Sequence, residues 1–132
     1  MTKYIVKPIE DIIDYSDELR EGKTVTIFIT EYLDRYKFAP TLWLNFPDVD
    51  KGEEGFIKDY QIKSIINFCE ICKFQDTVIV GCDAGLSRSP AIACAIASIN
   101  GDIEESKRLK ETHRFLNKYI YTEILSYSII ES

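Results

Sequence analysis

Hydrophobic and polar positions along the chain follow two periods, and the two alternate. Residues 24–30 (TVTIFIT) are dense in β-branched side chains and predict a strand. Residues 41–46 (TLWLNF), 77–80 (TVIV) and, more briefly, 4–6 read the same way. Between them the spacing lengthens. Ile9, Ile12, Ile13 and Leu19 suit a helix over residues 9–19, broken at Glu21-Gly22-Lys23. Ile62, Ile65, Ile66, Phe68 and Cys69 recur near 3.6 and predict a helix over residues 56–74. A small apolar run, residues 91–99, opens behind Pro90, and Asn100-Gly101 supplies a stop for it. Two further helices are expected over residues 103–113 and 117–130. Residues 32–39 fit neither period, and residues 47–55 form a polar loop carrying Asp48, Asp50, Glu53 and Glu54. Strands alternating with helices predict an α/β domain with a central, mostly parallel sheet flanked by helices. In such sheets the ligand site lies beyond the C-terminal ends of the strands.

Composition narrows the class. The 132 residues suffice for one domain with a real core and are too few for two, so a single domain over residues 1–132 is expected. A formal charge of −6 argues against nonspecific nucleic-acid binding and against an anionic membrane surface. The first residues, MTKYIVKPIEDII, hold no apolar run of signal-peptide length, and the run at residues 91–97 is far below a membrane span. Four cysteines without a secretory signal imply reduced thiols and a cytoplasmic setting.

The chemistry concentrates in residues 78–90, VIVGCDAGLSRSP. A β-branched run delivers Cys82 into a loop that ends, five residues on, at Arg88-Ser89, with a helix to follow. A thiol attacks only as thiolate and is mostly protonated at neutral pH. Loop amides turned inward, with the positive end of the next helix, stabilise both a thiolate and a bound phosphate. Gly85 allows the turn without a Cβ penalty. Arg88 offers a planar fork for two phosphate oxygens, which Lys could not match. Ser89 can hydrogen-bond the Cys82 sulfur, and Pro90 suits a first helical turn, where no backbone donor is required. A cysteine at a strand end before a glycine turn is common by itself; the joint presence of Gly85, Arg88, Ser89 and the helix signal makes the pattern specific.

CDAGLSRSP resembles the phosphate-binding loop of cysteine-dependent protein tyrosine phosphatases, most of all the small dual-specificity type found in bacteria and phages. The tight match covers about ten residues, while length and element order are compatible over most of the rest. The resemblance implies a phosphatase-like fold and hydrolysis of phosphomonoesters through a phosphocysteine intermediate, with no metal and no cofactor. It implies Cys82 as nucleophile, Arg88 as phosphate clamp and Ser89 as the hydroxyl that eases sulfur departure. The amides of Asp83, Ala84, Gly85, Leu86, Ser87 and Arg88 would hold the phosphate oxygens. A general acid is also needed, because an alkoxide or phenolate leaves poorly unless protonated. The family supplies an Asp from a loop some thirty residues before the cysteine. Asp48 stands 34 residues before Cys82 and Asp50 stands 32 before it. Phe46-Pro47-Asp48 resembles the Trp-Pro-Asp loop of the larger tyrosine phosphatases, which favours Asp48; the shorter spacing of Asp50 resembles many dual-specificity members. Asn117 matches an Asn that braces the phosphate loop in the small phosphatases, although an ordinary helix cap would account for it equally well.

The chain departs from the family in two places. The residue before the nucleophile is usually His and supports the thiolate; here it is Gly81, which implies a slower enzyme. The sole histidine, His113, falls in a charged helix and is expected at the surface. Asp83 places an acidic side chain beside the nucleophile, which opposes polyanionic lipid or RNA substrates. A phosphotyrosine protein, or a small phosphomonoester, fits better, with phosphoserine and phosphothreonine left open. Cys69 and Cys72 form a Cys-x-x-Cys inside a helix with no partner pair, a poor metal site, and Cys94 belongs to the apolar helix. Two other readings stand beside the phosphatase. One is a catalytically weak, phosphate-binding pseudophosphatase; the other is a sulfurtransferase or arsenate reductase. The sequence says nothing about oligomeric state.

Overall fold

The computed structural model describes residues 2–12, 23–36, 39–49 and 51–131. Four strands are present among them: β1 (Lys3–Pro8), β2 (Thr24–Ile29), β3 (Leu42–Leu44) and β4 (Thr77–Cys82). They form one sheet in the order β1-β4-β2-β3, parallel throughout. The strands richest in β-branched residues, β2 and β4, take the two central places, where both faces are covered. Helix α1 is described over Ile9–Ile12; the remainder of the expected helix at residues 9–19 lies outside the described residues. The other helices are α2 (Asp59–Cys72), α3 (Arg88–Ile99), α4 (Ile103–Thr112) and α5 (Lys118–Glu131).

Alternation along the central strands sorts side chains to two cores. Val78, Val80 and Cys82 of β4, with Val25, Ile27 and Ile29 of β2, face the larger core, which also takes in α3 and the buried residues of α2 and α5. Ile79 and Phe28 face the opposite side and pack with Ile9 and Ile12 of α1. Complete burial of a Val or Ile side chain stabilises by roughly 1.5–3 kcal/mol, so the period-2 pattern sets strand register firmly. Helix α3 is buried along almost its whole length, from Arg88 to Ala97, and forms the centre of the larger core. It ends at Asn100, with Gly101 following at φ 79°.

Several boundaries differ from the sequence expectation. Helix α2 starts at Asp59 rather than residue 56, because Gln61 turns its side chain back onto the Lys58 amide and closes the first turn there. Strand β3 is shorter than expected, since Asn45, Phe46 and Pro47 leave the sheet toward the Cys82 loop. Within residues 32–39, Leu33–Arg35 form one turn of 3-10 helix. No helix among the described residues is long and apolar enough to cross a membrane.

Candidate active site

Strand β4 ends at Cys82 and α3 begins at Arg88, so the loop between them sits at the C-terminal edge of the sheet. Cys82 is 2% exposed and faces the larger core. Its sulfur lies 3.2 Å from the Ser89 hydroxyl and accepts a 3.2 Å hydrogen bond from the Gly85 amide. Gly85 has φ 70°, and a Cβ there would come within 2.5 Å of the Pro8 nitrogen. Glycine is therefore required twice, by the left-handed backbone and by the close approach of the end of β1. Ser87 occupies the cap position of α3, yet its hydroxyl makes no capping bond and donates instead to Asp48 Oδ1 at 2.9 Å. The first amides of α3 are thus left without a capping side chain, the arrangement that suits an anion.

Arg88 is 8% exposed and ties two loops together. One of its nitrogens donates to the Phe46 carbonyl at 2.8 Å and the other to Asp83 Oδ2 at 3.3 Å. Phe46 directly precedes Pro47-Asp48, so the guanidinium anchors the base of the acidic loop. Asp83 Oδ1 accepts hydrogen bonds from Thr30, at 2.8 Å, and from the Tyr36 hydroxyl, at 2.6 Å. Burial pushes the Asp83 carboxyl up, but the Tyr36 and Thr30 hydrogen bonds and the Arg88 cation outweigh it and hold it below the ordinary carboxylate value. Burial, followed by the Asp83 carboxylate, raises the Tyr36 phenol to about 12.

Asp48 is exposed and sits over the loop, its Oδ1 accepting from both Ser87 and the Asn117 amide, the latter at 2.8 Å. The Asn117 amide also reaches the Val49 carbonyl at 3.3 Å, and its backbone N–H donates to the Ser87 carbonyl at 3.1 Å. At the same time Asn117 Oδ1 accepts from the amides of Tyr119 and Ile120. The side chain therefore caps α5 and holds the acidic loop, while the backbone N–H of the same residue ties the Cys82 loop. Farther out, Lys51 pairs with Glu123 of α5 at 2.9 Å. Asp50 lies outside the described residues. A cavity of about 240 Å³ opens in front of Asp48 and Ser87, walled by Asn117 and the exposed rings of Phe115 and Tyr119. A larger cleft of about 740 Å³ runs along β1 and α4 and touches no residue of the Cys82 loop.

The structure accounts for the missing histidine. Gly81 points to the α1 side of the sheet, and a Cβ there would overlap Ile12 Cδ1 and come within 3.0 Å of Ile9 Cγ1. The space beside the nucleophile's neighbour is filled by α1. His113 is half-buried rather than at the surface, with burial and then Arg108 lowering its pKa. Cys69 and Cys72 are buried and unpaired on α2, and Cys94 of α3 reaches Ser106. Among the described residues, no group of three or more His, Cys, Asp or Glu is placed to hold a metal ion. Sequence reasoning did not single out Thr30, Tyr36 or the Phe46 carbonyl, because their link to Asp83 and Arg88 runs through sheet order and leaves no local signal.

No protein-family model matches the chain, and no curated protein matches it. Solved structures do. The chain is similar to DUSP15, with 20% identity and a TM-score of 0.63 over 97% of this chain and 84% of that one. It is similar to Tk-PTP in its active form, with 16% identity and a TM-score of 0.61 over 98% and 91%. It is also similar to the human tyrosine phosphatase-like serine/threonine/tyrosine-interacting protein, with 16% identity and a TM-score of 0.57 over 97% and 92%. The chain has the fold of the tyrosine and dual-specificity phosphatases.

Proposed function

We propose that this protein hydrolyses phosphomonoesters, phosphotyrosine foremost, through a phosphocysteine intermediate on Cys82. The observation that carries the reading is the joint position of Ser89 Oγ and the Gly85 amide, each 3.2 Å from the Cys82 sulfur, with Arg88 closing the same loop. In the first step the Cys82 thiolate attacks phosphorus. The bond to the leaving oxygen breaks, and Asp48 gives that oxygen a proton. In the second step water attacks the phosphocysteine, Asp48 takes a proton from it, and the sulfur leaves as a thiolate that Ser89 stabilises by a hydrogen bond. Arg88 and the loop amides from Asp83 to Arg88 hold the negative charge that spreads over the phosphoryl oxygens. Phe115 and Tyr119, 73% and 51% exposed, wall the cavity before Asp48 and favour an aryl substrate, since a phenyl ring can stack on them.

The test is p-nitrophenyl phosphate turnover against pH for wild type, Cys82→Ser, Asp48→Asn and Asp50→Asn. Turnover by wild type that Cys82→Ser abolishes is the expected result. The Asn variant that loses the basic limb of the pH profile identifies the acid.

A second reading, a phosphate-binding module without useful turnover, is favoured by the hold of Ser87 and Asn117 on Asp48, and by Gly81. It predicts binding of phosphate or vanadate without hydrolysis. Sulfur transfer or arsenate reduction has less in its favour, since the Ser89 hydroxyl beside the Cys82 sulfur and Asp48 over the loop both serve phosphate chemistry.

A further inference from the structure

The two sides of the site carry opposite charge. On the acidic-loop side stand Asp48, Glu53 and Glu54, all exposed. Beyond Asn117 on the other side is a separate cleft of about 380 Å³ between the end of α4, the connection that follows it and the first turns of α5. Lys110, His113, Arg114 and Lys118 line it, and no acidic side chain among the described residues does. In a chain of net charge −6 this is a local concentration of the opposite sign. Arg114 and Lys118 form no ion pair with any described residue, while Lys110 is steered by the Tyr121 ring, its Nζ 4.8 Å from the centroid. Leu116 and Lys118 line this cleft and also the cavity in front of Asp48 and Ser87, so the two are neighbours.

From this geometry we infer that the basic cleft is a substrate subsite for acidic side chains of a phosphopeptide, on one side only of the phosphorylated residue. The inference rests on the phosphate-binding role proposed for the Cys82 loop and adds to it a substrate class and a direction. A peptide whose phosphate sits in that loop can leave the site across the acidic loop or across the basic cleft. An acidic flank is repelled along Asp48, Glu53 and Glu54 and attracted along Lys110, Arg114 and Lys118. Each exposed pair contributes little; three cations along one cleft give a usable preference.

The test uses three labelled phosphotyrosine peptides, with neutral flanks, with three Glu before the phosphotyrosine, or with three Glu after it. Binding is read by fluorescence anisotropy on the Cys82→Ser protein. One acidic placement should bind about tenfold tighter than the neutral peptide, and the other should gain nothing. The gain should shrink at high salt, fall about fivefold or more in Lys110→Gln/Arg114→Gln, and persist in Arg114→Lys. Equal binding of all three peptides, an equal gain for both acidic placements, no binding at all, or a gain that survives the double substitution would each overturn the subsite. Circular dichroism on each variant separates lost binding from lost folding. Wild-type turnover of p-nitrophenyl phosphate reports the chemistry separately. Turnover without acidic preference removes the subsite and keeps the phosphatase; preference without turnover does the reverse.

Discussion

Asn117 Nδ2 lies 2.8 Å from Asp48 Oδ1, joining the start of the last helix to the acidic loop across 69 residues of sequence. With Ser87 on the same oxygen at 2.9 Å, the carboxylate is held directly over the end of the Cys82 loop. In the proposed mechanism Asn117 positions Asp48, and it caps α5 with the other end of its amide.

Asn117→Ala should therefore have two separable effects. Loss of the cap lowers stability by about 1 kcal/mol, read as a denaturation midpoint. Loss of the hold on Asp48 should lower kcat roughly tenfold for a poor leaving group such as phenyl phosphate. For p-nitrophenyl phosphate, which needs less proton donation, the loss should be small. Equal losses on both substrates would assign Asn117 a structural role alone.

Placing a histidine before Cys82 should harm this protein. In Gly81→His the new Cβ meets Ile12 and Ile9 in a filled interior, and overpacking of that kind costs about 1–3 kcal/mol. Urea denaturation of Gly81→His should show the loss, and adding Ile12→Ala should recover part of it. A Gly81→His protein as stable as wild type would refute the packing account.

The Asp83–Tyr36 pair predicts a dependence on pH at both ends of the scale. Asp83 is held below its ordinary carboxylate value, so it stabilises the fold above the unfolded pKa of about 3.9 and loses that contribution as pH falls through its lower folded value. Wild type should be more stable than Asp83→Asn at pH 6, and the difference should vanish in strong acid. Tyr36 is raised from 10.0 to about 12; its contribution is complete below pH 10 and disappears as pH rises through about 12. Ultraviolet titration of wild type minus Tyr36→Phe should show a phenol that stays protonated at pH 11. A difference step near pH 10 would contradict the Tyr36–Asp83 hydrogen bond.

The Cys-x-x-Cys of α2 should be chemically quiet. Burial pushes Cys69 and Cys72 each to about 12, which leaves almost no thiolate at pH 8. Brief treatment of the native protein with iodoacetamide at pH 8, followed by peptide mass spectrometry, should leave both unmodified. Both should react once the protein is unfolded. Modification at the native rate of a free thiol would show that α2 opens far more readily than its packing implies.

How much of this was legible in the sequence follows from the separation of the partners. Cys82, Gly85, Arg88 and Ser89 lie within one strand–loop–helix unit, and a unit that short carries its own geometry: β-branched residues before it, a glycine that only a left-handed turn needs, and an apolar helix after it. The central strands were legible for the same reason, because β2 and β4 are buried on both faces and admit little else. Asp48 could be proposed by its spacing from Cys82 and by the resemblance of Phe46-Pro47-Asp48 to a Trp-Pro-Asp loop, while its acidic character alone does not set it apart from the other acids of its loop.

What tertiary structure alone decided is everything that crosses the sheet. The order β1-β4-β2-β3 sets β2 beside β4, which carries Thr30 and Tyr36 to Asp83 and the Phe46 carbonyl to Arg88. The same sheet turns Gly81 toward α1, where even a Cβ meets Ile12 and Ile9. Cap and brace read as alternatives for Asn117 in sequence and coexist in the structure, because Oδ1 caps α5, Nδ2 holds the acidic loop and the backbone N–H reaches Ser87. The basic cleft arises where α4 and α5 converge, so that Lys110 and Lys118 share one cavity with Arg114. Local pattern determines which segments are strands, turns and helices, since that depends on neighbours in sequence. Packing decides which side chains meet, since that depends on which buried faces fit together.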